Sequence, residues 1–295
     1  MDRLEAMSIF LAAVDAGSLS AAGRRLGVPL SSVSRKVAEL EEHLGARLLI
    51  RSTRRLQLTE AGRAYLAACR QILDAVGDAE RAAAGEYQAP RGTLVVTAPL
   101  LFGRLHLQPL VLEFLRAYPQ IDVQLLLADS RLHLLEEHVD LALRIGPLPD
   151  SSFVARQVGA VRRVVCASPA YLAEHGEPQA PEDLAGHSCV SFVGLETASA
   201  WTFPGAREVA IRARLSVSSA EAAVDAAVAG LGITRVLSYQ AERELRAGRL
   251  LRLLKDFEPD PWPINLLHAG QGAPPLKLRA FLDYLAPRLR ERLGS

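Results

Sequence analysis

Leu30-Ser31-Ser32-Val33-Ser34-Arg35-Lys36-Val37-Ala38-Glu39-Leu40-Glu41-Glu42-His43-Leu44 decides the architecture at the front of this chain. Val33, Val37, Leu40 and Leu44 recur at 4-3-4 spacing, which places them on one face of a helix turned toward a core. The other face offers Ser31, Ser32, Ser34, Arg35 and Lys36. Upstream, Gly27-Val28-Pro29 is a tight break, because glycine permits unusual backbone angles and proline fixes the next one. Before it lies a short helix, Leu19 to Leu26, that turns Leu19, Ala22 and Leu26 inward; Gly17 precedes it and the Ser18 hydroxyl can cap it. A first helix within 1–16 follows from Leu4, Met7, Phe10, Leu11 and Val14. Two short helices joined by a glycine turn, the second showing hydroxyls and cations, form the helix-turn-helix pattern. Such a helix fits the DNA major groove. Its short hydroxyls reach base edges or phosphates, and arginine bridges two acceptors of guanine.

The segment after Gly45 strengthens this reading. Leu48-Leu49-Ile50 and Leu56-Gln57-Leu58 read as two short strands, and Arg51-Ser52-Thr53-Arg54-Arg55 between them carries three arginines and no acid. A basic hairpin tip beside a recognition helix is a wing suited to phosphate or minor-groove contact. From Ser18 to Leu58 eight basic residues, among them Arg24, face three acidic ones, a local charge of +5. From Arg91 to Ser295 the count is 22 against 22, and the whole chain carries only +1. A basic front joined to a neutral body excludes a uniformly basic nucleic-acid coat protein.

Thr59 and Glu60 open a helix of about 26 residues, roughly 40 Å long, that runs without proline to about Gly85. Leu66, Cys69, Leu73 and Val76 begin a 3-4-3 seam that continues through Glu80 and Ala83. Such a stripe wants a partner, either the same helix of a second subunit or the helix's own chain. Gln88-Ala89-Pro90-Arg91-Gly92 is the hinge that follows. Three cysteines, Cys69, Cys166 and Cys189, include no C-x-x-C pair, so neither a disulfide framework nor a zinc finger is expected. No apolar run spans a bilayer. Asp2, Glu5 and Asp15 flank the one apolar stretch near the start, where a signal peptide needs a basic region, so a cytoplasmic protein is expected. Nucleophile elbow, Walker loop and H-E-x-x-H are all missing, and Gly230-x-Gly232 lacks the third glycine of a dinucleotide fingerprint. No cofactor, metal site or enzymatic activity is expected.

Beyond the hinge, strand-like and helix-like runs alternate. Thr93 to Ala98, Val123 to Leu127, Leu141 to Ile145, Val164 to Ala167 and Gly232 to Arg235 read as strands. Arg104 to Tyr118, Leu132 to His138, Ser218 to Ala229 and Tyr239 to Ala247 read as helices. The body is therefore an α/β unit with mostly parallel strands. With 295 residues the chain has room for about two domains.

Ser34 through Leu49, with Leu58-Thr59-Glu60-Ala61-Gly62 and with Ala21-Ala22, Leu26 and Val28, resembles the signature of LysR-type transcriptional regulators. The body resembles the effector domain of the same family in Thr97-Ala98-Pro99, Asp140 to Gly146, Ala167 to Leu172 and Ala229 to Ile233. The resemblance implies a winged helix-turn-helix over 1–58, a dimerising linker helix and hinge over 59–90, and an effector domain over 91–295. That domain would comprise two Rossmann-like lobes, like those of periplasmic solute-binding proteins, spanning 92–161 plus 266–295 and 162–265. It also implies operator DNA, a small-molecule effector, a homodimer or homotetramer, and RNA polymerase as partners. The body alone would equally suit a solute-binding or transport-associated protein.

At the start of the recognition helix this chain departs from the family's usual Ser-Gln-Pro. Pro29, Leu30 and Ser31 stand there, so the cap and a polar base contact are gone, and Leu30 is left to meet a thymine methyl. The DNA-facing set is then Arg24, Leu30, Ser31, Ser32, Ser34, Arg35 and Lys36 with Arg51, Thr53, Arg54 and Arg55 of the wing. For the effector, the strand-to-helix turn Thr97, Ala98, Pro99, Leu100, Leu101 and Phe102 offers free N–H groups to an anion. Ser218 and Ser219 add hydroxyls, Thr234 faces them, Arg144 suits a carboxylate, and Trp201 and Phe203 wall the pocket. Each has a structural alternative: Ser219 as a helix cap, Trp201 as core, Arg144 in a surface ion pair. Leu100 and Leu101 favour an apolar or aromatic effector over a small dicarboxylate.

Overall fold

The computed structural model describes residues 1–51, 56–83, 89–129, 139–148, 153–195, 199–269 and 274–294. The front of the chain packs three helices, α1 (Arg3–Asp15), α2 (Leu19–Leu26) and α3 (Leu30–Leu44), against a two-stranded antiparallel hairpin, β1 (Leu49–Arg51) and β2 (Leu56–Leu58). Ser18 caps α2 by accepting from the Ala21 N–H at 3.1 Å, and Gly27 (φ +69°) ends that helix in the left-handed region. Pro29 precedes α3 without a side-chain cap, as its substitution for serine requires. Ala6, Ile9, Phe10, Ala13, Ala22, Val33, Val37, Leu40, Leu48 and Leu49 form the core. This corrects the face expected of α1. Leu4 is exposed, because the small Ala6 and Ala13 let α3 approach more closely than a leucine would allow. Leu26 and Leu44, at the last positions of α2 and α3, are also exposed.

Helix α4 (Glu60–Ala83) leaves the hairpin under tight constraint. The Thr59 hydroxyl donates to Arg47 O at 2.7 Å and accepts from the Gly62 N–H at 2.9 Å. Gly62 lies so close to the hairpin that a Cβ there would stand 2.0 Å from Leu48 O.

Two five-stranded sheets make the body. The first contains β3 (Gly92–Ala98), β4 (Ile121–Leu127), β5 (Leu141–Ile145), β6 (Phe153–Val161) and a late strand, Trp262–Ala269. Between β3 and β4 the chain forms α5 (Leu100–Phe102), one π-helical stretch (Gly103–Leu107) and α6 (Gln108–Ala117). The second sheet contains β7 (Arg163–Ala167), β8 (Ser188–Phe192), β11 (Arg212–Val217), β12 (Ile233–Leu237) and β13 (Leu251–Leu253). A separate hairpin pairs β9 (Ala200–Phe203) with β10 (Arg207–Ala210). Helices α7 (Pro169–His175), α8 (Ala220–Val228) and α9 (Ser238–Arg246) belong to this lobe. The late strand, β14, returns to the first sheet, and α10 (Leu276–Leu293) closes the chain against it.

In each sheet four strands run one way and one runs against them: β14 lies antiparallel between β5 and β6 in the order β4-β3-β5-β14-β6, and β7 lies antiparallel between β12 and β13 in the order β11-β8-β12-β7-β13. The mostly parallel strands expected from the sequence are present, with one opposed strand in each sheet. The strands next to the two crossings, β6 with β7 and β13 with β14, all join antiparallel. The return strand begins at Trp262 rather than at 266, because Trp262 already pairs with Val161. The helix expected over Leu132 to His138 lies outside the described residues. Phe114 of α6 and Phe281 of α10 meet edge to face at 4.8 Å over the first sheet. Cys166 and Cys189 lie on β7 and β8 with β12 between them, too far apart for a disulfide.

Candidate DNA-reading surface and effector cleft

Helix α3 buries Val33, Val37 and Leu40 and leaves its first turn outward. Leu30 is 50% exposed, Ser31 and Arg24 are exposed, and Ser32 and Ser34 are half-buried beside them. Arg35 is exposed and makes only an i,i+4 pair with Glu39 at 3.5 Å, which solvent weakens. Lys36 is different. Its ammonium meets Glu5 of α1 at 2.5 Å with the side chain only 18% exposed, so it braces two helices. Glu41, on the opposite side, accepts the Leu48 and Leu49 N–H groups at 2.8 and 3.0 Å and fixes the base of the hairpin. The backbone of Arg51 ends β1, while Thr53, Arg54 and Arg55 lie outside the described residues.

The seam of α4 divides between two roles. Cys69 is fully buried and Leu66 half-buried in the core of the head, Tyr65 lies 6.0 Å from the Phe10 ring, and Arg70 pairs with Asp15 at 2.7 Å. Cys69 wholly, and Leu66 in part, therefore pack on their own chain. Heptad spacing serves either contact equally, so the pattern could not separate them. Ile72 is exposed, and Leu73 and Val76 are half-buried. Farther on, Asp74 meets Lys277 of α10 at 2.5 Å, and the same ammonium donates to Thr93 O at 2.7 Å. Lys277 is buried, so the linker helix is tied into the first lobe by a desolvated charge.

In the body, the carboxyl ends of β3, β4 and β5 turn toward those of β8, β11 and β12. Arg104, in the π-helical stretch, pairs with Glu221 of α8 at 2.8 Å across this cleft. Phe102 meets Tyr239 of α9 edge to face at 5.2 Å, and His106 lies 4.7 Å from Phe102 and 5.9 Å from Tyr239. Burial pushes the Tyr239 phenol up and pulls His106 below its ordinary value. Leu101 and Phe102 are thus core and wedge, and only Leu100 (45% exposed) with half-buried Pro99 faces the opening. The N–H of Leu100, expected to await an anion, already donates to the Asp129 carboxylate at 3.0 Å.

Several expected pocket residues are interior. Trp201 and Phe203 belong to the core of the second lobe, with the Arg235 guanidinium 4.6 Å over the Phe203 ring. Thr234 is fully buried and donates to Val190 O at 3.0 Å. They sit inside because alternate residues of the hairpin face the core and because β12 is buried along its whole length, which an aromatic or hydroxyl count cannot reveal. Ser219 caps α8 by accepting from the Ala222 N–H at 3.3 Å, and Ser218 beside it is exposed. Arg144 donates one guanidinium N–H to Leu143 O at 3.0 Å, and burial pulls its pKa down. Thr97 is fully buried, and its hydroxyl has no partner. Asp129, Tyr239 and the Asp74–Lys277 pair were not foreseen, since each acts through a contact distant in sequence. Among the described residues no cluster of side chains could hold a metal.

A helix-turn-helix head in front of a two-lobed domain defines a DNA-binding regulator that answers to a small molecule. Residues 4–63 match the model for the bacterial regulatory helix-turn-helix protein, lysR family, and residues 87–290 match that for the LysR substrate binding domain. The chain is 34% identical to the probable HTH-type transcriptional regulator LtrA of Klebsiella pneumoniae, over 97% of this chain and 94% of that protein. It is 35% identical to the HTH-type transcriptional regulator CrgA of Neisseria meningitidis serogroup B, over 98% of each. The solved structure of CrgA covers 99% of both chains with a TM-score of 0.61. Full-length LysG of Corynebacterium glutamicum, solved with bound effector Arg, shares the fold at a TM-score of 0.66, 22% identity and 99% coverage of both chains. This chain belongs to the LysR family: it is a DNA-binding transcription regulator with an effector-binding domain.

Proposed function

We propose that the chain works in the bacterial cytoplasm as a non-catalytic homodimer or homotetramer that reads an operator and changes its grip when an effector enters the cleft. Residues 1–58 read DNA, 59–90 join subunits and carry the hinge, and 91–295 sense the effector. The single observation that carries this reading is the first turn of α3, where Leu30, Ser31 and Arg35 stand outward while the opposite face is core. Arg24, Ser32 and Ser34 flank them, and Arg51, Thr53, Arg54 and Arg55 supply phosphate contacts from the wing. Ile72, Leu73 and Val76 carry the subunit contact. Pro99, Leu100, Arg144 and Ser218 line the cleft, with Thr97 buried beneath them. An effector that binds two arrangements of the oligomer unequally shifts the angle between its heads, and thereby DNA bending and RNA polymerase recruitment.

The test is fluorescence anisotropy with DNA from the protein's own upstream region, across a salt series and against random DNA. Binding at least ~10³-fold tighter to the upstream DNA, with a steep salt slope, is expected. Arg54→Ala/Arg55→Ala lowers that slope, and equal weak binding to both DNAs with an unaltered slope in the variant would refute the reading.

A further inference from the structure

We infer that Arg144 and Thr97 receive the anionic head of the effector, and that the effector is a monocarboxylate with an apolar body. The inference rests on the effector reading above and gives that cleft its chemical selectivity. Thr97 of β3 stands in register with Ala142 of β5, and Arg144 follows two residues later on the same face. Asn265 of β14 pairs in register with Arg144 and completes a polar trio. Leu94, Val96, Leu141 and Leu143 belong to the core beneath α6 and α10, so the trio lies on the other face of the sheet, near the carboxyl ends of β3 and β5.

Two of these groups have donor capacity that the protein leaves unused. Thr97 is 0% exposed, and its Oγ1 makes no hydrogen bond. The Nη2 of Arg144 is likewise buried without a partner, and the guanidinium's one hydrogen bond is to a neutral carbonyl, Leu143 O. Among the described residues no carboxylate pairs with it. A guanidinium cannot shed its proton to escape burial, and its planar fork matches a carboxylate. A neutral amide would leave the charge uncompensated, and an amine would repel it.

Asp129 sets the valence. Its carboxylate fills the N-terminus of α5, the other place in the cleft where an anion would be welcome. A second carboxylate on the effector would meet that charge. Leu100, exposed next to it, offers apolar surface instead.

The test uses the full chain and three probes of one shape: benzoate, benzamide and benzylamine. Calorimetry and thermal unfolding are expected to show benzoate bound at least tenfold more tightly than either of the others. R144M abolishes that preference, T97V weakens benzoate binding, and D129N admits phthalate, which the wild type rejects. A ligand-free readout is independent of the probe: removing an unpaired buried cation makes R144M melt above wild type. Benzamide or benzylamine binding as tightly as benzoate, in wild type and R144M alike, would overturn the assignment and leave the effector cleft standing. So would an R144M that melts below wild type, because the guanidinium would then already have its partner. Unfolding midpoints unmoved by millimolar acetate, benzoate and naphthoate would overturn it too. The effector reading itself falls only if small molecules of every charge leave both stability and operator binding unchanged.

Discussion

Gly62→Ala sets two opposed effects against each other at the third residue of α4. In an open helix the change stabilises by about 1 kcal/mol, because alanine loses less backbone freedom than glycine. Here the new Cβ would stand 2.0 Å from Leu48 O and 3.1 Å from Leu48 Cα, both backbone atoms that cannot swing aside. Either the helix or the hairpin must retreat, and overpacking of this kind costs about 1–3 kcal/mol. Leu48 O also accepts the Thr59 N–H at 3.0 Å, so the retreat weakens a hydrogen bond worth about 1 kcal/mol. The balance is a loss of about 2 kcal/mol, confined to the head. Amide hydrogen exchange in α1 to α3 is the assay, because both tryptophans, Trp201 and Trp262, lie in the body and do not report on the head. Exchange through global opening of the head should quicken about thirtyfold. Exchange that slows, or stays as in wild type, would refute the reasoning by showing that helix propensity outweighs the clash.

Lys36→Gln removes a brace rather than a phosphate contact. It should lower stability by up to about 1 kcal/mol in urea titration while leaving the salt slope of DNA binding unchanged. His106 gives a pH dependence to the junction of the lobes. Burial holds its folded pKa below the ordinary histidine value of 6.5, so its contribution is present above that pH and lost as the pH falls through the folded value. Unfolding midpoints measured between pH 7 and about 5 should fall less steeply in His106→Phe. Burial pushes the Cys69 thiol up to about 11 and the Cys166 and Cys189 thiols up to about 12. All three should resist thiol reagents at neutral pH until denaturant is added, and their contribution to stability should fade as the pH rises above 9.0, the ordinary thiol value.

The head was legible in the sequence because its decisive signals are local. Ser18 caps, Gly27 turns, and the Val33, Val37 and Leu40 spacing buries one face, each within a few residues. The lobes were legible for the same reason, through the alternation of strands and helices. The cleft was not, because its geometry depends on which strand borders which. Trp201 and Phe203 read as pocket walls until the hairpin turns them into the second core, and Leu66 and Cys69 read as a subunit seam until Phe10 and Tyr65 occupy that side of α4. Lys36 finds Glu5 across 31 residues, and Leu100 finds Asp129 across 29. No spacing rule reaches that far.

The grip of Lys277 on Asp74 bears on how such a regulator can be recombined. Arg70 is held by the head and Asp74 by the first lobe, four residues apart, or about 6 Å along the helix. A chimera cut at the hinge near 89–91 would inherit Asp74 but lose the lysine that answers it, and the transplanted sensor would swing free of its head. The workable seam lies between Arg70 and Asp74, so the unit of exchange is the sensing domain together with the last turns of the linker.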